Sequence, residues 1–179
     1  KKTNTHYTKM FKEHPIQIGQ GREYWWGVNS LYSTSFSFND ESIHERIYAN
    51  MSEKDWKEFG FGVYKWHRTD ISEIASSSAI SFILDAKEMP KIQTTLVAYT
   101  GPKRRIQKTL NTSNYIQINN SSYQFCIPLK SFAEFENFHW NTLKEIRFKI
   151  IEGSQFEMGD FKIIEFRGNP KKPNQWIRL

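Results

Sequence analysis

The chain has 179 residues, 38% of them hydrophobic and 16% aromatic, with 14 Phe, 8 Tyr and 6 Trp. That length suits one domain, and that apolar content supports a packed core and excludes a disordered chain. The net charge of +6 is spread among negative residues; it favours solubility and, mildly, anionic partners, and it gives no reason of its own to invoke nucleic acid.

Cys126 is the single cysteine, so no disulfide forms within the chain, and its apolar neighbours in "FCIPL" predict a buried, inert thiol. No run of 18 apolar residues occurs, so no membrane-spanning helix is expected. The chain opens on "KKTNTHYTKM", without an apolar leader.

In chain order, "LYSTSFSF" (Leu31 to Phe38) alternates large and small residues and reads as a strand with one packed face. "IHERIY" (Ile43 to Tyr48) reads as another. In "MSEKDWKEFGF", Ser52 with Asp55 resembles a capping box, Trp56 and Phe59 share an i,i+3 face, and Gly60 can stop the turn. A short helical turn is predicted there. "GVYKW" follows as strand or loop, and "TDISEIASSS" as a polar connection. "AISFILDA" and "IQTTLVAY" are strands, with Pro90 marking the bend between them. "TGPKRR" is a turn by its Gly-Pro pair, and "NYIQI" and "YQFCI" are strands around "NNSS". "LKEIRFKI" and "FKIIEF" complete the main set, and "GNPKKPNQWIRL" leads to a last short strand.

Eight or more short strands with polar turns and little helix predict an all-β fold, an antiparallel β-sandwich of jelly-roll type, with less than one fifth helix. Units of strand, helix and parallel strand are excluded, because they need a helical pattern after each strand. Pro128 lacks an N–H, so it ends the pairing of "YQFCI", and Leu129 and Phe132 can then turn inward to plug the sandwich edge. The expected core is Ile80, Phe82, Leu84, Phe125, Ile127, Leu129, Phe148, Ile150 and Ile163.

The ordered segments "DIS" (Asp70 to Ser72), "ISFIL" (Ile80 to Leu84), "IQTTLVAY" (Ile92 to Tyr99), "CIPLKSF" (Cys126 to Phe132), "LKEIRF" (Leu143 to Phe148) and "GDFKIIEF" (Gly159 to Phe166) carry a resemblance. In that order the chain resembles the galactose-binding-like jelly rolls that serve as carbohydrate-binding modules beside glycoside hydrolases. The resemblance covers roughly residues 60–166; a single β-sandwich domain is expected over residues 1–179, whose first sixty residues match no segment of that family and are expected to supply the first strands and a lid. The resemblance also implies a secreted or cell-surface setting, a carbohydrate partner, and a catalytic domain or partner protein nearby. Related modules bind a structural calcium through an Asp in the last strand. Here that strand offers Ile163, Ile164 and Glu165, with Asp160 earlier, so Asp160 and Glu165 are the candidate calcium ligands.

Carboxylate pairs for sugar hydrolysis could be drawn from Asp40 and Glu41, Glu53 and Asp55, Asp85 and Glu88, or Glu134 and Glu136, most of them in turns. The five histidines lack zinc spacing, and no nucleophile elbow or phosphate loop occurs. The aromatics point further. Flat rings stack on the apolar faces of sugars while polar groups meet the hydroxyls. "REYWWGVN" and "YKWHR" place aromatics beside polar residues. Trp25 and Trp26 must point opposite ways in an extended chain. The expected stacking surface is Trp25, Tyr64 and Trp66, with Arg68, Arg104 and Asn29 as hydroxyl or carboxylate partners and Trp26 in the core. Most tryptophans of a sandwich are nonetheless core residues.

Three functions follow. The first is a non-catalytic module that binds a polysaccharide or glycan, including acidic ones. The second is a polysaccharide-degrading enzyme on the same sandwich, which needs converging ionisable groups. The third is a structural or protein-interaction domain with its aromatics buried.

Overall fold

The computed structural model describes residues 16–17, 25–28, 30–35, 43–50, 57–63, 69–101, 103–110, 115–117, 120–153 and 155–166. Twelve strands are found there: β1 (Ile16–Gln17), β2 (Trp25–Trp26), β3 (Ser30–Ser35), β4 (Ile43–Asn50), β5 (Glu58–Gly62), β6 (Ser78–Asp85), β7 (Lys91–Ala98), β8 (Arg105–Thr109), β9 (Tyr115–Gln117), β10 (Ser122–Pro128), β11 (Leu143–Glu152) and β12 (Gln155–Glu165). Helix among the described residues is confined to three-residue 3-10 turns at Ala75–Ser77, Leu129–Ser131, Phe135–Asn137 and Trp140–Thr142.

The strands form two antiparallel sheets in a jelly-roll-like sandwich. One runs β3-β4-β12-β6-β10-β9, with β1 also on β12; the other runs β2-β5-β11-β7-β8. Their inner faces share one aromatic core. Phe82 of the larger sheet stacks on Phe125 (4.9 Å between centroids) and meets Phe148 of the smaller sheet edge-on at 5.5 Å. Every residue of the expected core is buried.

Alternation alone does not deliver that core. Phe156 and Met158 of β12 point inward, and strict alternation would then turn Phe161 outward. The register of β12 against β6 shifts between Gly159 and Lys162, and Asp160 sits there at φ 54°. Such a bulge adds one residue and resets the alternation. Asp tolerates the left-handed region better than most side chains. Phe161 and Ile163 therefore join the core, both 1% exposed.

Pro128 closes the β10 ladder opposite Ala79. The chain then winds through 3-10 turns that bury Leu129, Phe132, Phe138 and Trp140 at the end of the sandwich. This agrees with the plug expected from "IPLKSF". Asp70 organises the connection before β6, its Oδ1 accepting from Ser72 N–H at 3.0 Å and Ser72 Oγ at 2.6 Å.

Three expectations need correction. Phe59 and Gly60 lie in β5, not in a helical turn; the rest of that predicted turn falls outside the described residues. "RIQKT" is a strand, β8, although the "TGPKRR" turn expected from the sequence extends through its Arg105. β12 begins at Gln155, well before "FKIIEF". The predicted C-terminal strand lies outside the described residues.

Candidate functional site

The smaller sheet has a polar outer face, and its construction starts at β5. "EFGFG" places Phe59 and Phe61 inward, both 0% exposed, and Gly60 and Gly62 outward. β2 pairs with it so that Trp25 opposes Phe61 and Trp26 opposes Gly60. Trp25 consequently enters the core, 8% exposed, with ring centroids 4.6 Å from Phe61 and 5.1 Å from Phe161. Trp26 is left on the outer face, half-buried. This reverses the sequence expectation for the pair, and the side of β5 on which the glycines fall decides it.

Gly60 makes room for that indole. A Cβ at Gly60 would lie 2.6 Å from the Ile146 carbonyl oxygen and 3.0 Å from Trp26 Cζ2. Gly27, at φ 75°, follows the tryptophans, and a Cβ there would lie 2.6 Å from the Glu58 carbonyl oxygen. Both glycines let β2 lie closely against β5.

β11 supplies the polar partners. Ile146 and Phe148 point inward, so Glu145 and Arg147 point outward. Trp26 Nε1 donates to Glu145 Oε1 at 3.1 Å, and Arg147 Nε donates to the same oxygen at 2.5 Å. Arg147 Nη2 reaches Glu145 Oε2 at 3.4 Å, and Nη1 lies 3.7 Å from Glu58 Oε1. The guanidinium also stands 5.5 Å from the centre of the Trp26 ring. Glu145 is 5% exposed, and this pairing is what makes a carboxylate tolerable there. The indole is thereby fixed by hydrogen bond, cation and floor, a preorganised flat surface.

Farther across the face, past β7, lies a depression of about 210 Å³. It is lined by Tyr99, Arg104, Arg105, Lys144 and the Glu145–Arg147 pair, with Val97 beneath. Tyr99 is 54% exposed, and Lys144 Nζ lies 5.5 Å from its ring centre. A register shift between Leu143 and Glu145 accommodates Lys144. The β7–β8 turn bends through Gly101 at φ 116°, where a Cβ would meet the His139 ring.

Of the residues expected to bind ligand, Arg104 is exposed at this depression and Trp25 is buried in the core. Tyr64, Trp66, Arg68 and Asn29 lie outside the described residues. The sequence expectation puts Trp26 in the core, and Tyr99, Glu145, Arg147 and Lys144 were not singled out. The signal available for Trp26 was the phenylalanine–glycine alternation of "EFGFG".

Of the remaining candidates, Asp40, Glu41, Glu53 and Asp55 lie outside the described residues. Burial pushes the Cys126 thiol up to about 12 from 9.0, far from thiolate chemistry at neutral pH. Asp85 accepts a short hydrogen bond from Ser122 Oγ, its register partner on the neighbouring strand β10 of the same sheet. Asp160 is the bulge residue and pairs with Lys162 Nζ at 3.2 Å. Glu165 lies five residues on along β12, about 17 Å away at strand rise, so the two do not converge on one ion. Among the described residues, no group of three or more His, Cys, Asp or Glu could hold a metal. No helix there is long and apolar enough to cross a membrane.

Comparison with known proteins converges on one kind of module. Residues 16–165 match the family model described as "Carbohydrate binding domain 30". The fold is similar to the family 30 carbohydrate-binding module of the cellulosomal cellulase Cel9D-Cel44B of Clostridium thermocellum, at 16% identity over 86% of this chain and 94% of that one, TM-score 0.53. A second family 30 module is similar at 15% identity over 87% and 85%, TM-score 0.57. A family 11 module from Clostridium thermocellum, in complex with a β-1,3-1,4-mixed-linked tetrasaccharide, is similar at 13% identity over 87% and 98%, TM-score 0.50. At these identities the likeness is one of fold. No curated protein sequence matches the chain.

Proposed function

The chain belongs to the carbohydrate binding domain 30 family, and from that premise we propose that it holds its carbohydrate on the outer face of the five-stranded sheet, with Trp26 as the stacking surface. Membership makes the chain a non-catalytic carbohydrate-binding module. The observation that carries the choice of face is Trp26 itself. Its indole is half-buried on Gly60 and held by Glu145 and Arg147, so a sugar ring can stack without first ordering the side chain. Arg147, with its side chain 25% exposed, presents guanidinium nitrogens beside the ring, where the equatorial hydroxyls of a stacked sugar lie.

Tyr64, Trp66, Arg68 and Asn29 extend this proposal, since they follow β5 and β2 directly in the chain. The module works beside a catalytic domain or partner protein in an extracellular polysaccharide-processing system. That the similar family 30 module belongs to a cellulosomal cellulase of Clostridium thermocellum supports that reading by analogy. The test is calorimetric titration of the chain with soluble oligosaccharides, a mixed-linked β-glucan tetrasaccharide first. Trp26→Ala is expected to weaken binding about tenfold, the loss of about 1.4 kcal/mol. Unchanged affinity in a folded Trp26→Ala variant rejects this face. Release of reducing ends by the purified chain would turn the reading to an enzyme. A structural calcium on Asp160 or Glu165 is read by chelation: a lower melting temperature supports it, and an unchanged one rejects it.

A further inference from the structure

We infer that the carbohydrate this module selects carries anionic groups, carboxylate or sulfate, and that Arg104, Arg105 and Lys144 receive them. The inference rests on the reading that the outer face of the five-stranded sheet holds a glycan.

The depression at the β7–β8 side of that face gathers four cations, Arg104, Arg105, Lys144 and Arg147, around a single carboxylate, Glu145. That carboxylate is already committed, since both its oxygens face Arg147 and one also accepts from Trp26. Among the described residues, no ion pair engages Arg104, Arg105 or Lys144; the pairs there are Arg147 with Glu58 and Glu145, and Lys162 with Asp160. Like charges set around a concave surface focus a positive potential there. Neutral hydroxyls do not require three cations. A carboxylate or sulfate ester supplies the counter-charge these cations lack, and the forked guanidinium groups match its geometry.

Position ties this cluster to the stacking surface. In the order β2-β5-β11-β7-β8, Trp26 stands on one edge strand and Arg105 on the other. Four strand steps separate them, about 19 Å. In the sheet register, Arg105 opposes Val97, and Val97 opposes Glu145. A chain stacked on Trp26 and running across the strands therefore passes over the Glu145–Arg147 pair and reaches the cations within a few rings. Exposed Tyr99 offers a second apolar face beside Lys144.

The experiment is affinity electrophoresis of the 179-residue chain in gels containing neutral mixed-linked β-glucan, a uronic-acid polymer (polygalacturonate) or a sulfated one (carrageenan), at low and moderate salt. A polyadenylate gel is run beside them. Arg104→Gln/Arg105→Gln/Lys144→Gln is compared with parent, with Trp26→Ala, and with Lys87→Gln/Lys91→Gln, which removes charge at the other end of β7. The acidic polymer that binds best identifies carboxylate or sulfate as the group received. The triple variant is expected to lose at least about tenfold affinity for it, Trp26→Ala to lose affinity as well, and the lysine control to bind like the parent. Neutral glucan bound more tightly than either acidic polymer overturns the inference while leaving carbohydrate binding intact. Acidic binding lost equally in the lysine control reduces it to general charge and overturns it too. Polyadenylate bound more tightly than every polysaccharide, with loss in the triple variant, reassigns the cluster to nucleic acid. Absence of binding to any polysaccharide removes the underlying proposal with it.

Discussion

The two faces of the five-stranded sheet are built from neighbouring residues of the same strands and have opposite chemistry. On the inner face Trp25, Phe59, Phe61 and Phe148 pack ring against ring, all of them buried. On the outer face Trp26, Glu145 and Arg147 form a hydrogen-bonded and charged cluster on a glycine floor. One residue of chain separates Trp25 from Trp26. What separates their roles is pairing register: the tryptophan opposite Phe61 becomes core, and the one opposite Gly60 becomes surface. Inner residues are held by packing that tolerates no water. Outer residues are held by directed bonds around a half-buried indole.

Substitutions should therefore split by face. The largest effect belongs to the inner one. Trp25→Ala or Phe148→Ala is expected to cost about 3–5 kcal/mol in urea unfolding, through lost burial and a cavity that the surrounding rings cannot fill. A loss below about 1 kcal/mol in Trp25→Ala would break the comparison by placing Trp25 outside the core. Next comes the floor between the faces. Gly60→Ala puts a methyl group against the Ile146 carbonyl and the Arg147 Cα. Backbone cannot move aside as a flexible side chain does, so a cost of about 1–3 kcal/mol is expected. Glycan affinity should fall with it, because the Trp26 ring is lifted. Full stability in Gly60→Ala would show that β2 does not lie this close to β5.

Much of the inner face was readable in the sequence. "AISFILDA", "YQFCIPL" and "LKEIRFKI" carry period-2 or continuous apolar patterns, and the residues they nominate are buried. The outer face was harder to read for a physical reason. Its key residues are ordinary in the sequence, a Glu and an Arg within "LKEIRF", and become a site only when β2 is laid beside β5. Two features misled. The Ser52–Asp55 spacing with Trp56 and Phe59 favoured a helical reading carried through Phe59 and Gly60, which hid the strand alternation of "EFGFG". The Gly-Pro pair of "TGPKRR" carried the turn reading through Arg105, although Arg105 opens an edge strand on which Ile106 is buried at 1% and its neighbours are solvated. The bulge at Asp160 left no pattern that distinguishes it from a turn acid.

An intermediate effect belongs to Trp26. Its replacement by Ala removes a half-buried ring and one donor to Glu145, so about 1–2 kcal/mol of stability should go. That is clearly less than for Trp25→Ala, while only the Trp26 variant should lose glycan affinity without unfolding. Paired melts and titrations of the two variants sharpen the comparison. Equal destabilisation by both would mean that the outer cluster is as much core as the inner one.

The smallest effect is expected from Arg147→Lys. The charge is kept, but the planar fork that reaches Glu145 through Nε and Nη2 is not, and neither is the flat group beside the Trp26 ring. Arg147's side chain is 25% exposed, so solvent screens part of the interaction, and the loss should stay below about 1 kcal/mol. For a chain of this size that is a fall of about 2–4 °C in melting temperature at most. Arg147→Ala should cost more, about 1–3 kcal/mol, because Glu145 is then left buried with Trp26 as its remaining hydrogen-bond donor on this face. The ratio of the two losses tells how the outer face is held. A small loss in Lys and a large one in Ala assigns the work to charge beside a buried carboxylate. Equal losses assign it to the fork. No loss in either variant would mean that Gly60 and the Trp26–Glu145 hydrogen bond hold the outer face without Arg147.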